Sequence, residues 1–536
     1  MAHAPGNDER APTEWVGSGA PPPDAGSGAE AGAGGGGRRR SRRGLVIGAA
    51  AGAAVLLGGG TVVAMQVLGG GGEQPADVLP ASVLGYVRVD LDPSANQKVN
   101  AVRLLRSVPE FESETGITAD TDDLRRRAYE ELIKGEKGCP SYADGVEGWI
   151  GERMGVGAMP ASGEAEPDYV VVMQVSDPDA ARDGITEIVK CAGEGEDVPG
   201  MAEIGDYLLL AETQSLADDF AAEATETPLS DDEGHQADME VLGDQGIVSG
   251  WMDVSEIVDR YADGEDQAEM DAAGVSSVDS VTMAMRAGSD NLELEFQADG
   301  LPVPADAAAA VGQLPQTTML GLGFTGGSQA VDKGWIELTE LLDMTQPGGA
   351  DELTASIEQA AGLRLPDDLK VLLGNDFALG LDSGGLAFDP ATGGPDPMSV
   401  RLGMRTSSGI DETSDLVQRV QPALAQLLPI ELVALEAGEG SVVGTGQEYA
   451  DQLANPDAVL ADSDTYTTAV PEADDALGVL YADFDQMSEV VERLRAEGLQ
   501  GVEDSDVETL DLLRAFGASV ATDGDYTSLT MRLVFD

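Results

Sequence analysis

Ser255-Glu256-Ile257-Val258-Asp259-Arg260-Tyr261 recurs as Ser488-Glu489-Val490-Val491-Glu492-Arg493-Leu494, 233 positions further along a chain of 536 residues. Leu216-Ala217-Asp218-Asp219-Phe220 returns at the same offset as Tyr449-Ala450-Asp451-Gln452-Leu453. Three looser pairs precede these in each half. Leu79-Pro80-Ala81-Ser82-Val83-Leu84 matches Leu314-Pro315-Gln316-Thr317-Thr318-Met319. Gly151-Glu152-Arg153-Met154-Gly155-Val156 matches Gly374-Asn375-Asp376-Phe377-Ala378-Leu379, and Tyr169–Met173 matches Ser399–Gly403. The ends also agree, Leu292–Phe296 against Thr530–Phe535. Order and spacing together predict two copies of one domain, at 75–300 and 301–536.

Within a copy, strands and helices alternate. Val83–Val89 reads as an apolar strand, and Asp92-Pro93 as a helix N-cap with proline in the first turn. Val170–Val175 is a strand followed by a helix over Ala180–Lys190. Ile247–Trp251 is a strand, and Asp253 with Glu256 forms a capping box. Val281–Arg286 and Leu292–Gln297 read as a hairpin around Ala287–Asn291. A hairpin makes neighbouring strands antiparallel. The predicted class is therefore α+β, a tandem duplication of a mostly antiparallel sheet with helices on one face.

The chain begins with a low-complexity stretch of Ala, Gly, Pro and acid, expected to be a disordered cytoplasmic tail over 1–43. Arg38, Arg39, Arg40, Arg42 and Arg43 close it. Gly44–Leu68 follows without a charge, long enough for a transmembrane helix. Arginines on its N-terminal side alone place the tail inside and everything after the 69–74 linker outside, as a single-pass membrane protein. Ser41-Arg42-Arg43 also fits a twin-arginine export signal, in which case the body is secreted. Gly44, Gly48 and Gly52 have the spacing of a helix-dimer face, although a generic small-residue span explains them more simply.

Composition narrows the function. The net charge is −68, nearly all of it after residue 72, which repels nucleic-acid phosphates and excludes nucleic acid as a partner. The two histidines are His3 and His235, so the exterior has one imidazole. That excludes most zinc sites and any Ser–His–Asp triad not built on His235. Cys139 and Cys191 both lie in the first copy and, outside the cytoplasm, are expected to form a disulfide.

Other candidates are better explained by structure. Gly321-x-Gly323-x-x-Gly326 fits a dinucleotide fingerprint in pattern but lacks a βαβ setting and a counterpart in the first copy. Asp90, Asp92, Asp253, Asp483 and Asp485 stand where helices begin, and capping accounts for them. The acidic runs at 120–123, 231–233 and 263–271 match no calcium loop. Trp149, Trp251 and Trp335 border strands and read as core. No catalytic residue, cofactor or metal is assigned.

The Pro/Gly-rich head, the arginines and anchor, and Leu79-Pro80 leading into Tyr86-Val87-Arg88-Val89-Asp90-Leu91-Asp92-Pro93-Ser94-Ala95-Asn96-Gln97-Lys98 carry a family resemblance. The chain resembles domain-of-unknown-function family 3352, uncharacterised membrane-anchored envelope proteins of high-GC Gram-positive bacteria. The resemblance implies an envelope location and supplies no activity. The expected function is non-catalytic binding or scaffolding of an envelope protein or ligand. The alternatives are an extracytoplasmic carrier of an apolar ligand and a carboxylate-dependent hydrolase.

Overall fold

Tyr86-Val87-Arg88-Val89 alternates side chains between two faces, and so does nearly every strand after it. The computed structural model describes residues 73–91, 124–134, 138–161, 167–192, 197–262, 274–301, 309–345, 348–391, 394–499 and 510–536, with 100, 136, 270 and 507 besides. The tail, the 44–68 span, the arginines, Gly44, Gly48, Gly52 and Asp92 lie outside the described residues. No helix among the described residues is long and apolar enough to cross a membrane.

The first half contributes β1 (Gly85–Asp90), β2 (Ile150–Met159), β3 (Asp168–Val175), β4 (Gly200–Ile204), β5 (Tyr207–Ala211), β6 (Val248–Asp253), β7 (Ser280–Ala287) and β8 (Asn291–Asp299). The second contributes β9 (Thr318–Thr325), β10 (Asp376–Asp382), β13 (Leu402–Thr406), β14 (Leu432–Ala437), β15 (Gly440–Thr445), β16 (Gly478–Asp483), β17 (Leu513–Asp523) and β18 (Tyr526–Phe535). A small separate hairpin holds β11 (Phe388–Asp389) and β12 (Gly394–Pro395). All other strands form one 16-stranded antiparallel sheet, in the order β14-β15-β13-β10-β9-β16-β17-β18-β8-β7-β6-β1-β2-β3-β5-β4. Read inward from either edge, the order of elements is the same. The halves join where β8 pairs with β18, from Asn291–Val534 to Asp299–Tyr526, so the sheet runs through the junction.

The ladders correct three of the sequence matches. Phe296 lies opposite Met283 as Met531 lies opposite Ala518, so Leu292–Phe296 corresponds to Thr527–Met531 and not to Thr530–Phe535. Val172 lies opposite Leu209, and Arg405 opposite Val442. The position matching Tyr169–Met173 is therefore Leu402–Thr406, three residues beyond Ser399–Gly403. The N-caps Asp253 and Asp483 are 230 apart, whereas the Ser-Glu-x-Val motifs are 233 apart. The motif has slid by nearly one turn, which keeps the same helix face inward.

Helices cover more than the one face expected. In the first half, α1 (Leu124–Leu132), α2 (Tyr142–Gly145) and α3 (Pro178–Ala192) lie on the face bearing Val87 and Val89. There Tyr142, Val146, Trp149, Ile185 and Val189 bury Val171, Val248 and Met285. On the opposite face, α4 (Gln214–Glu226) and α5 (Glu233–Leu242) bury Tyr86, Val170, Val172, Leu209 and Trp251. A short helix, α6 (Val254–Tyr261), packs at the far end of the Val87 face. The physical reason for two-sided cover is that Val170, Val171 and Val172 are all buried, which needs a core on each side.

The second half has α7 (Gly327–Thr345), α8 (Gly349–Ala361), α9 (Asp367–Leu373), α10 (Ile410–Leu427), α11 (Gln447–Ala454), α12 (Asp464–Ala469) and α13 (Phe484–Glu497). Its main core lies on the Tyr86 side of the sheet, around Val311, Leu314, Tyr449, Leu453, Tyr466 and Tyr481. Cys139 and Cys191 are disulfide-bonded, with Cα atoms 5.1 Å apart, tying the segment before α2 to the end of α3.

Candidate apolar binding face

The second half leaves leucines uncovered on the Val87 side. On β9, Leu320 is 39 % and Leu322 44 % exposed; on β16, Leu480 is 43 % exposed. Leu322 lies opposite Leu379 on one side and Leu480 on the other, and Leu320 sits between Leu381 and Ala482. Directly opposed residues stand roughly 5 Å apart at Cβ, so these side chains touch. The ladder positions of Leu320 and Leu480 are Gly85 and Gly250 in the first half. The leucine surface is thus particular to the second half.

The row extends well past these strands. From Leu480 it passes through Ala518, Met531 and Leu294, and then runs beneath the first-half helices at the buried Met285, Val248 and Val89. In the other direction it reaches Leu379 and Met404. Among the described residues, every strand residue that is both large, apolar and exposed lies on this one face: Tyr169, Met252, Leu320, Leu322, Leu402, Leu480 and Leu529. No paired position on it is charged between β7 and β13.

Charge sits on the opposite face of the junction. Glu293 accepts from Arg286 at 2.8 Å and from Arg532 at 2.6 Å, and Arg286 also pairs with Glu295. Burial alone would push the Glu293 carboxyl up, but the two guanidinium groups prevail and hold it below the usual range. The centre of the sheet is therefore polar on its covered side and apolar on its open side. An antiparallel sheet usually shows the reverse, with polar residues toward water. A contiguous exposed apolar surface on a strongly charged body marks a binding surface.

Glycines flatten the covered side so that this strand can pack. A Cβ on Gly323 would stand 2.5 Å from Val311 Cγ2 and 2.6 Å from the Phe377 carbonyl oxygen. Gly321 and Gly323 lie within β9 rather than in a strand-to-helix loop, so the dinucleotide pattern has no phosphate cradle. The alternation Leu320-Gly321-Leu322-Gly323-Phe324 was the sequence signal for a one-sided apolar strand.

A second concavity, about 310 Å³, opens beside α5 and is lined by Tyr86, Arg88, His235, Met239 and Glu240 among others. His235 Nε2 lies 3.1 Å from the Tyr86 hydroxyl, and its ring meets Trp251 edge-on at 5.4 Å. Nδ1 has no hydrogen-bond partner, so no carboxylate orients the imidazole as a triad requires. Asp238 is engaged elsewhere, accepting from Trp251 Nε1 at 2.7 Å and Tyr526 at 2.9 Å.

The remaining sequence candidates are dispersed. Asp253 and Asp483 cap α6 and α13, accepting from the amides of Glu256 and Gln486. Asp90 pairs with the buried Arg88 at 3.2 Å instead of capping a described helix. Asp485 lies in the first turn of α13. Trp149 and Trp251 are buried, whereas Trp335 is half-exposed on α7. No cluster of three or more His, Cys, Asp or Glu suited to a metal occurs among the described residues.

No family model and no curated protein matches the chain. A solved structure described as crystal form III of TP0453 aligns with a TM-score of 0.23 and 6 % identity, over 44 % of this chain and 84 % of that one. A likeness of that size carries no argument about fold or function.

Proposed function

We propose that this chain is a membrane-anchored extracytoplasmic protein that holds an apolar chain, such as a lipid acyl group, against its open leucine face. The observation that carries the reading is the exposed set Leu320, Leu322 and Leu480, in register on adjacent strands. Extended strands offer an acyl chain a flat apolar track, and each buried methylene contributes about 0.8 kcal/mol. Binding, rather than catalysis, fits a face with no titratable group.

Two further readings support this location and architecture. The arginines before 44–68 orient a membrane span, and the resemblance to family 3352 agrees with an envelope address. Four glycines, Gly69–Gly72, then separate the span from the described body, and so few residues extend roughly 15 Å. The body thus stays beside the bilayer, the source of such chains. The repeated strand order on either side of β8–β18 supports the tandem duplication. So does a shared aromatic pair: His235 on Trp251, and Tyr466 on Tyr481 at 5.0 Å, both edge-on.

Native mass spectrometry of the full chain released from a neutral detergent tests the proposal. The wild type should retain an apolar adduct, and the Leu322→Glu, Leu480→Glu double variant should lose it. An empty wild type, or an adduct that survives both substitutions, would overturn the reading.

A further inference from the structure

The concavity of about 310 Å³ beside α5 is separate from the leucine face and does not depend on how that face is read. Two side chains in its wall are almost fully buried, each with one nitrogen unpartnered. Arg88 is 6 % exposed; Nη1 donates to the Gly246 carbonyl and Nη2 to Asp90, both at 3.2 Å, while Nε meets no acceptor. His235 is 5 % exposed, and its Nδ1 has no partner either. Burial keeps this imidazole uncharged, so it carries one proton. The Tyr86 hydroxyl donates to Nε2 at 3.1 Å, which leaves that proton on Nδ1. The wall thus holds two buried N–H donors without acceptors, an arrangement that lowers stability.

Packing does not require these groups. The ladder positions of Tyr86 and Arg88 in the second half are Gly321 and Gly323. Tyr466 stands where His235 does, third after its N-cap and edge-on to Tyr481. The fully buried Val311 closes on both glycines, a Cβ on either standing 3.0 Å or less from a Val311 methyl. One half therefore fills this place with apolar groups, and the other with Tyr86, Arg88 and His235.

We infer that the concavity binds a free α-amino acid with an aliphatic side chain, its carboxylate between Arg88 and His235 and its ammonium toward Asp77 and Glu240. Two N–H donors call for an acceptor, and a carboxylate makes charge-assisted bonds with both. Asp77 and Glu240 line the same space, and Asp77 is close enough to act on the His235 charge. Ala76 and Met239 supply the apolar wall. A simple anion would be repelled by a chain of net charge −68, whereas a zwitterion carries no net charge. The volume lies at the small end of ligand sites, which run from roughly 300 to 1,000 Å³.

Isothermal titration calorimetry of the full chain in neutral detergent tests this, with four probes: L-leucine, 4-methylpentanoate, 3-methylbutylamine and D-glucose. L-leucine should bind most tightly. Loss of its ammonium should weaken binding about fivefold, and loss of its carboxylate at least about tenfold. Glu240→Gln, at an exposed position, should weaken L-leucine and leave 4-methylpentanoate unchanged. His235→Phe should weaken both alike. No heat from L-leucine at millimolar concentration, a single-charge probe or D-glucose binding as well as L-leucine, or an L-leucine affinity untouched by both substitutions would overturn the inference. The leucine face would stand in each case.

Discussion

Tyr526 donates its hydroxyl to Asp238 at 2.9 Å, across 288 positions of sequence, while the other oxygen of Asp238 holds the Trp251 indole. One buried carboxylate thereby links the last strand of the second half to the core of the first. Hydrogen bonds to a charged group contribute about 1.5–3 kcal/mol. Tyr526→Phe should lower stability by that amount. A double-mutant cycle with Trp251→Phe should show coupling of about 0.5 kcal/mol or more, because both residues share one partner. Urea unfolding of the four proteins provides the measurement; strict additivity would mean the two bonds act independently.

Leu322→Glu and Leu480→Glu should barely affect folding. Both side chains are already more than a third exposed, and exposed substitutions usually stay within about 0.5 kcal/mol. Replacing the buried Leu314 by Ala should cost about 2–5 kcal/mol, because it empties core space. Thermal melts of the three variants separate a surface built for binding from one built for packing.

Reducing the Cys139–Cys191 bond should destabilise the first half selectively. Its loop of 52 residues predicts a chain-entropy loss of about 4 kcal/mol. Hydrogen exchange with and without reductant should quicken in α2 and α3 and stay unchanged around Tyr449 and Tyr466. Uniform quickening would show that the halves unfold as one unit.

Two groups should give opposite pH trends. Burial holds His235 below its ordinary value, with Asp232, Asp238 and Asp77 offsetting part of the effect. The folded state then binds fewer protons than the unfolded one, so stability falls as pH drops through about 6.5. Asp485 is pushed up to about 6, first by burial and then by Asp536 and Asp483. There the folded state binds more protons, and stability falls as pH rises from about 4 to 6. His235→Gln should flatten the first slope and Asp485→Asn the second, read from melting temperature against pH.

Much of the first half was legible in the sequence. The β7–β8 hairpin, the helix after Asp177-Pro178 and the cap at Asp253 follow from local patterns of two and 3.6 residues. The disulfide followed from two cysteines and the expectation of an exterior address. What local pattern cannot encode is pairing between distant strands. Nothing near Leu292 specifies that β8 should meet β18 and carry one sheet through both copies. The leucine face was missed for a related reason. Leu320 and Leu322 look like any core strand, and their exposure depends on where helices from remote segments come to rest.

The sheet's order also says when it can form. The final strand, Tyr526–Phe535, lies at the centre, between β17 and β8, and not at an edge. A chain emerging from its N-terminus could complete β1 to β7 yet would leave β8 with one open side until Tyr526–Phe535 was delivered. Tyr526–Phe535 acts as a keystone, so a nonsense mutation before Tyr526 should strand two finished arms with no span between them.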